Sequence, residues 1–404
     1  MKNKRLFLEK LSEISDVLIN RFDAVPNLGG IGGIAGIAMF QFYYADYLGS
    51  EEHLESGIKM ISHSIEKINQ GYTHPSYCNG IAGLAWTISH LNAEGYINID
   101  CDELLSPFDD YLHNEMKIEF ENGNYDFLHG ALGYAFYFFT RYRATENKEL
   151  QEKYEAIILE SIHDLKNLAI RKGDTISWSS FLDVTKERKG ANLSFAHGIS
   201  GIIDFLSRLY THETFKIESQ ELLHGGIKFL LEHEAMDRTD LSLFPNWIEE
   251  NSEIEYNSRI AWCYGDLGIG TSLLRAGIAI DDSYLQKKAV GILEHCSFRR
   301  SPSTSLVLDA GFCHGSFGNA LIFKRIFKET GNKLFKEAFH FWMEDGLKKS
   351  VHHDGFAGYK QWNGLENKWV PKLSLLEGVA GIGLVLVDYL SEKDNNWDQC
   401  ILIS

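Results

Sequence analysis

Apolar residues follow two rhythms along this chain. In the first they recur every three or four positions: Phe7, Leu11, Ile14 and Leu18, and again Leu54, Ile58, Ile61 and Ile65. Similar spacing covers roughly 103–118, 149–170, 217–234, 283–297 and 333–349. That period predicts helices with one apolar stripe. In the second rhythm the apolar residues run almost continuously, and each run is entered through a Gly-x-x-Gly. These read GIAGIAMF from Gly33, GIAGLAWTI from Gly80, GALGYAFYF from Gly130, GISGIIDFL from Gly198, GDLGIGTSLL from Gly265, GSFGNALIF from Gly315 and GVAGIGLVL from Gly378. Successive first glycines are 47, 50, 68, 67, 50 and 63 residues apart.

One such match would carry no information, but seven, each ahead of an apolar run, define a repeat. Each unit reads as an amphipathic helix, a loop, and a Gly-x-x-Gly opening an apolar helix. Helices apolar on most faces belong inside and striped ones outside. The expected fold is therefore all-α: an α/α toroid, with an inner ring of seven helices wrapped by an outer ring of seven. An open superhelical solenoid uses the same unit. Closure is preferred because it lets chemically suggestive residues of distant repeats meet. The glycines are expected to allow positive φ and close approach of neighbouring inner helices. Two polar stretches with interleaved aromatics, 172–194 and 237–258, exceed the repeat and are expected as short strands or a rim. Neither resembles a linker, so residues 1–404 are expected to form one domain.

Composition adds few constraints. The chain is 44% hydrophobic and 24% charged with six prolines, an ordinary globular balance that leaves long helices uninterrupted. A net charge of -17 offers no electrostatic footprint for nucleic acid. Glu9, Lys10 and Glu13 interrupt the N-terminal apolar positions, which argues against a signal peptide. No stretch reaches the ~18 apolar residues of a membrane span. Gly29–Ala45 and Leu373–Leu390 come nearest and read better as buried helices. The six cysteines are scattered, not dense as in a disulfide scaffold, so a cytoplasmic setting is the expectation.

Residues just ahead of each glycine pair should share one end of the ring. Repeat five offers Trp262-Cys263-Tyr264-Gly265, and repeat six Cys313-His314-Gly315. Two thiols and an imidazole from equivalent places can form three corners of a tetrahedron around zinc, leaving the fourth open as catalytic sites do. No C-x-x-C is present, and taken singly Cys263 and Cys313 would read as small buried residues. Their shared place in the repeat favours ligation. Repeat four adds His197, repeat three Asp126 with His129 as a second candidate, and repeat five Arg259. A histidine, an aspartate and an arginine near an open metal position suit acid–base work and charge stabilisation. Alone, each would read as a hydrogen-bonded histidine or a helix cap. His352 and His353 lie in a polar segment and read as rim residues.

The set W-C-Y-G, C-H-G and A-H-G inside this repeat, closing on L-L-E-G-V-A-G, resembles the lanthionine synthetase C-like cyclases over about residues 30 to 390. The resemblance implies a toroid of fourteen helices and one zinc ion per chain, held by Cys263, Cys313 and His314. It assigns further active-site positions to Asp126, His197, Arg259 and Tyr264. It implies Michael addition of peptide cysteine thiolates to dehydroalanine or dehydrobutyrine, making (methyl)lanthionine rings. No dehydratase- or kinase-like region precedes the repeats, so the expectation is the separate cyclase of a pathway. Its substrate would be a dehydrated precursor peptide, with a dehydratase and a transporter as partners, in the cytoplasm or peripheral to the membrane within a complex. Three rival readings follow from the same residues: addition of a glutathione-type thiol, a non-catalytic zinc-bearing toroid that binds peptide, and a glycosidase. The last would need paired carboxylates, for which Glu377 and Asp126 are the obvious candidates.

Overall fold

The computed structural model describes residues 2–182, 187–236, 241–249, 252–391, 393 and 395–404. Two kinds of helix alternate along it. Seven are apolar: Ile34–Leu48, Ile81–Ala93, Ala131–Ala144, Ile199–Tyr210, Asp266–Ala279, Ser316–Thr330 and Val379–Leu390. Seven others are amphipathic or largely polar: Lys2–Arg21, Glu51–Asn69, Asp109–Glu121, Lys148–Leu168, Glu213–Glu232, Ser283–Phe298 and Lys333–Lys348. Burial separates the two kinds. Every residue from Ile34 to Ala45 is buried, whereas Lys2–Arg21 buries mainly the stripe Phe7, Leu11, Ile14 and Leu18. No described helix is long and apolar enough to cross a membrane.

The chain forms two compact units, one of Met1–Leu112, Leu308–Arg325 and Phe339–Ser404, the other of His113–Val307 and Ile326–Ala338. In the first, Val379–Leu390 packs on Ile34–Leu48, which packs on Ile81–Ala93. Lys2–Arg21 covers the first of these helices and Glu51–Asn69 the second. In the second unit Ala131–Ala144, Ile199–Tyr210 and Asp266–Ala279 neighbour one another in chain order, backed by Lys148–Leu168, Glu213–Glu232 and Ser283–Phe298. Asn147 and Asp282 cap two of these backing helices, each side chain accepting two of the N–H groups a helix start leaves unpaired.

The two long excursions meet in the second unit. Ser179–Phe181, Lys189–Asn192 and Trp247–Glu249 form one antiparallel sheet, with Ala191 opposite Ile248. Residues 183–186, 237–240 and 250–251 of those excursions lie outside the described residues. A second hairpin, Ile170–Lys172 with Thr175–Ser177, precedes the sheet. In the first unit Gln361–Asn363 pairs with Lys368–Val370 shortly after the His352–His353 segment.

The glycines work differently from expectation. Among the paired glycines only Gly265 has positive φ, at 93°; Gly33, Gly80, Gly130, Gly198 and Gly378 are extended. What excludes a side chain is the loop ahead of each helix, which doubles back beneath its first turn. A Cβ at Gly36, Gly83, Gly201, Gly268, Gly318 or Gly381 would lie 1.8–2.5 Å from the carbonyl oxygen six residues earlier. Adjacent repeats come close as well, but second to the residue's own loop: at Gly83 the Gly30 nitrogen is 2.8 Å away, and at Gly268 the Phe195 Cβ is 2.9 Å away.

Gly83→Ala should therefore destabilise by about 3 kcal/mol, because backbone cannot yield as a side chain can. Gly291, inside Ser283–Phe298 with nothing near its Cβ position, is the control. There alanine should stabilise by about 0.5–1 kcal/mol through helix propensity. Chemical denaturation of both variants checks the contrast, and equal effects would contradict it.

Candidate active site

The loops that exclude side chains at the glycines also present the chemistry. Each apolar helix starts with unpaired N–H groups, and in five of the seven the first is accepted by the main-chain carbonyl seven residues back. Ala131 donates to Asn124 at 3.0 Å, Ser316 to Asp309 at 3.1 Å and Val379 to Lys372 at 3.1 Å. The six residues before each first glycine are thereby folded into a tight loop at the helix start. Main-chain bonds tie neighbouring loops together. In the second unit Phe195 N–H donates to the Cys263 carbonyl at 2.9 Å, and in the first Cys313 N–H donates to the Leu376 carbonyl at 2.8 Å.

The second unit brings Asp126, His197, Cys263 and Tyr264 into one neighbourhood. His197 Nδ1 lies 2.5 Å from Asp126 Oδ2. Asp126 Oδ1 accepts the N–H groups of Leu128 and His129 at 2.7 and 2.8 Å, so one carboxylate both shapes its loop and holds the imidazole. His129 itself is exposed. Burial alone would lower the His197 pKa, but the charge and hydrogen bond of Asp126, with a contribution from Cys263, hold it above the usual histidine value. Burial would likewise raise Asp126, and the charge and hydrogen bond of His197 reverse this and lower it. The Tyr264 ring lies 5.8 Å from the His197 ring and 6.4 Å from Trp247. Its hydroxyl accepts from Asn192 Nδ2 at 3.4 Å, and burial first of all raises its pKa. Cys263 is buried. Arg259 stands apart: its side chain is exposed and makes no hydrogen bond or ion pair among the described residues.

The first unit holds Cys313, half-buried, and His314 beside it. His314 Nε2 is 3.1 Å from Asp309 Oδ2. Asp309 Oδ1 accepts Gly311 N–H at 3.0 Å, and Oδ2 accepts Trp362 N–H at 3.0 Å from the hairpin. Glu377, in the corresponding place before Gly378, accepts from Gln361 Nε2 at 2.9 Å. Asp309 was not legible as a site residue, because an aspartate six positions before the first glycine reads as a loop cap. Its identity was the only signal: repeats three and four carry Asn124 and Asn192 there, which have one acceptor oxygen instead of two.

The donor set suits zinc. Two thiols and an imidazole are the ligands that ion favours, and an imidazole backed by a carboxylate is the usual surrounding of a metal-bound histidine.

A family model described as "Lanthionine synthetase C-like protein" matches residues 27–402. The chain is 26% identical over 372 residues to the nisin biosynthesis protein NisC of Lactococcus lactis subsp. lactis, covering 85% of this chain and 81% of that protein. Among solved structures, nisin cyclase matches with a TM-score of 0.73 at 18% identity, over 96% of each chain. That likeness carries the fold class, the all-α toroid expected from the repeat.

Proposed function

Since the chain belongs to the lanthionine synthetase C-like family, we propose that it is a zinc-dependent lanthipeptide cyclase acting on a dehydrated precursor peptide. Its class as a lanthionine-forming enzyme follows from the family and its relatives; the metal and the residue roles are the finer reading. The observation that carries this finer reading is the Asp126–His197 pair on a loop bonded through its main chain to Cys263. Cys263, Cys313 and His314 would supply three ligands of one zinc ion. Two thiols and an imidazole are the donors that this ion favours, which supports the reading. The unbroken family match supports reading residues 1–404 as one domain with rim excursions near 172–194 and 237–258.

When bound, zinc would supply a substrate thiolate at neutral pH, where a free thiol of pKa about 8.5 is mostly protonated. The thiolate sulfur bonds to the β-carbon of the dehydro residue, the C=C π bond breaks, and the resulting enolate takes a proton at Cα. His197 is placed to give that proton from Nε2, because Asp126 occupies Nδ1 and favours the charged ring. Tyr264 walls the imidazole with its ring. Arg259, exposed on the same loop as Cys263, is free to meet negative charge on the peptide or the enolate. The dehydro residues must come from a dehydratase, and a transporter is the natural recipient of the cyclised product.

The test is single-turnover cyclisation of a dehydrated, cysteine-containing peptide, followed by loss of free thiol, together with elemental analysis. The expected result is one zinc per chain and acceleration over the spontaneous reaction. Zinc without acceleration would leave a metal-bearing scaffold and sink the cyclase reading.

A further inference from the structure

The two Asp–His pairs described above are built alike, and the second has no assigned purpose. Asp126 spends Oδ1 on its own loop and Oδ2 on His197 Nδ1. Asp309 spends Oδ1 on Gly311 and directs Oδ2 to His314 Nε2 and Trp362 N–H. We propose that Asp309 is a positioning residue for the zinc site: it accepts the Nε2 proton of His314 and so fixes Nδ1 as the ligand atom. This rests on the zinc reading given above.

The plain alternative is that Asp309 only closes its loop. Repeats three and four argue against that, because the same position there is asparagine, and Asn192 Oδ1 accepts Ser194 N–H at 3.0 Å much as Asp309 Oδ1 accepts Gly311 N–H. One acceptor oxygen is enough for the loop. The second oxygen of Asp309 is surplus to that need, is fully enclosed with the residue 2% exposed, and faces an imidazole nitrogen. A buried carboxylate is costly unless hydrogen-bonded; Trp362 N–H meets that oxygen from one side, and its other neighbour is His314 Nε2. A neutral imidazole carries one proton and offers one lone pair. With a carboxylate at Nε2 the proton stays there, and Nδ1 keeps the lone pair a metal requires. Trp362 N–H, reaching the same oxygen from Gln361–Asn363, ties the hairpin to the orientation of that ligand.

Asp309→Asn tests this sharply, since it keeps an acceptor for Gly311 and replaces the other oxygen with a donor. The amide would then favour an unprotonated Nε2 and a protonated Nδ1, which cannot ligate. Zinc affinity of the full chain, measured by competition with a chromophoric chelator, should fall about 10–100-fold, while circular dichroism shows the metal-free variant keeping its helices despite the lost Trp362 N–H bond. Affinity equal to the parent's would overturn the proposal. Should the variant not fold, the parent protein suffices: with isotope-labelled histidine and an NMR-active cadmium ion, coupling is expected to Nδ1 of the single metal-bound ring. Coupling to Nε2 would overturn it equally. A parent protein that binds neither ion defeats the zinc reading itself, a result distinct from indifference of Asp309→Asn.

Discussion

Cys313→Ala should lose zinc and cyclisation together while keeping its helices. The main-chain bond from Cys313 N–H to the Leu376 carbonyl does not involve the side chain, so the loop retains its anchor. The sulfur is half-buried at a loop, not part of the apolar helices, and its removal leaves little cavity. With one of the three proposed ligands gone, the remaining thiol and imidazole should not hold the ion through purification. Two contributions to rate then disappear. Thiolate at neutral pH falls to the few per cent set by an ordinary thiol pKa, and the sulfur is no longer fixed near the dehydro residue, a positional effect worth many orders of magnitude in favourable cases. Together they should lower the single-turnover rate by at least ~10³-fold. Elemental analysis, circular dichroism and the thiol-loss assay check the three parts. A variant retaining one zinc per chain would show the ligand assignment to be wrong.

Much of the architecture was legible because burial writes itself into composition. Ile34–Leu48 and Val379–Leu390 are enclosed on nearly every face and so read as unbroken apolar runs, while Lys2–Arg21 is enclosed along one stripe and reads with helical period. The purpose of the glycines was less legible. A Gly-x-x-Gly signals that a side chain is forbidden without saying by what. Positive φ and close backbone leave the same letter, and here close backbone meets nearly all the paired glycines while positive φ is added at Gly265. Pairing of the two excursions into one sheet was out of reach, since Ala191 and Ile248 are far apart in sequence.

The site shows the same division. Cys263, His197 and His314 stood out because rare residue types occupied equivalent places in the repeat. Asp309 did not, because its loop-closing bond to Gly311 is what any aspartate in such a loop would make. Its second oxygen has a partner brought by the fold, not by spacing. Arg259 is the reverse case: its position singled it out, yet among the described residues it contacts no charged group. A substrate carboxylate or enolate is the partner its exposure leaves room for.

His197→Asn should retain zinc and slow the chemistry about 10²–10⁴-fold, or about 3–5 kcal/mol of barrier. The metal should stay because His197 is not among the proposed ligands; its ring is held by Asp126 and lies against Tyr264. The rate should fall because asparagine cannot deliver a proton to Cα. The enolate must then draw one from water, and the face it arrives on is no longer dictated by the protein. Loss of stereochemical control at Cα therefore accompanies loss of rate, a pairing that a merely structural histidine would not produce. Asp126→Asn should fall in the same direction. The amide can no longer stabilise the imidazolium, and removing the carboxylate removes the influence that raises the His197 pKa, leaving less of the acid form at neutral pH. His129→Asn should be mild, since its side chain is exposed and the main-chain N–H that Asp126 accepts is kept. The measurement is single-turnover thiol loss with chiral analysis of the lanthionine formed. Parental rate and parental stereochemistry in His197→Asn would remove this residue from the chemistry and leave the Asp126–His197 pair as a structural feature of the loops.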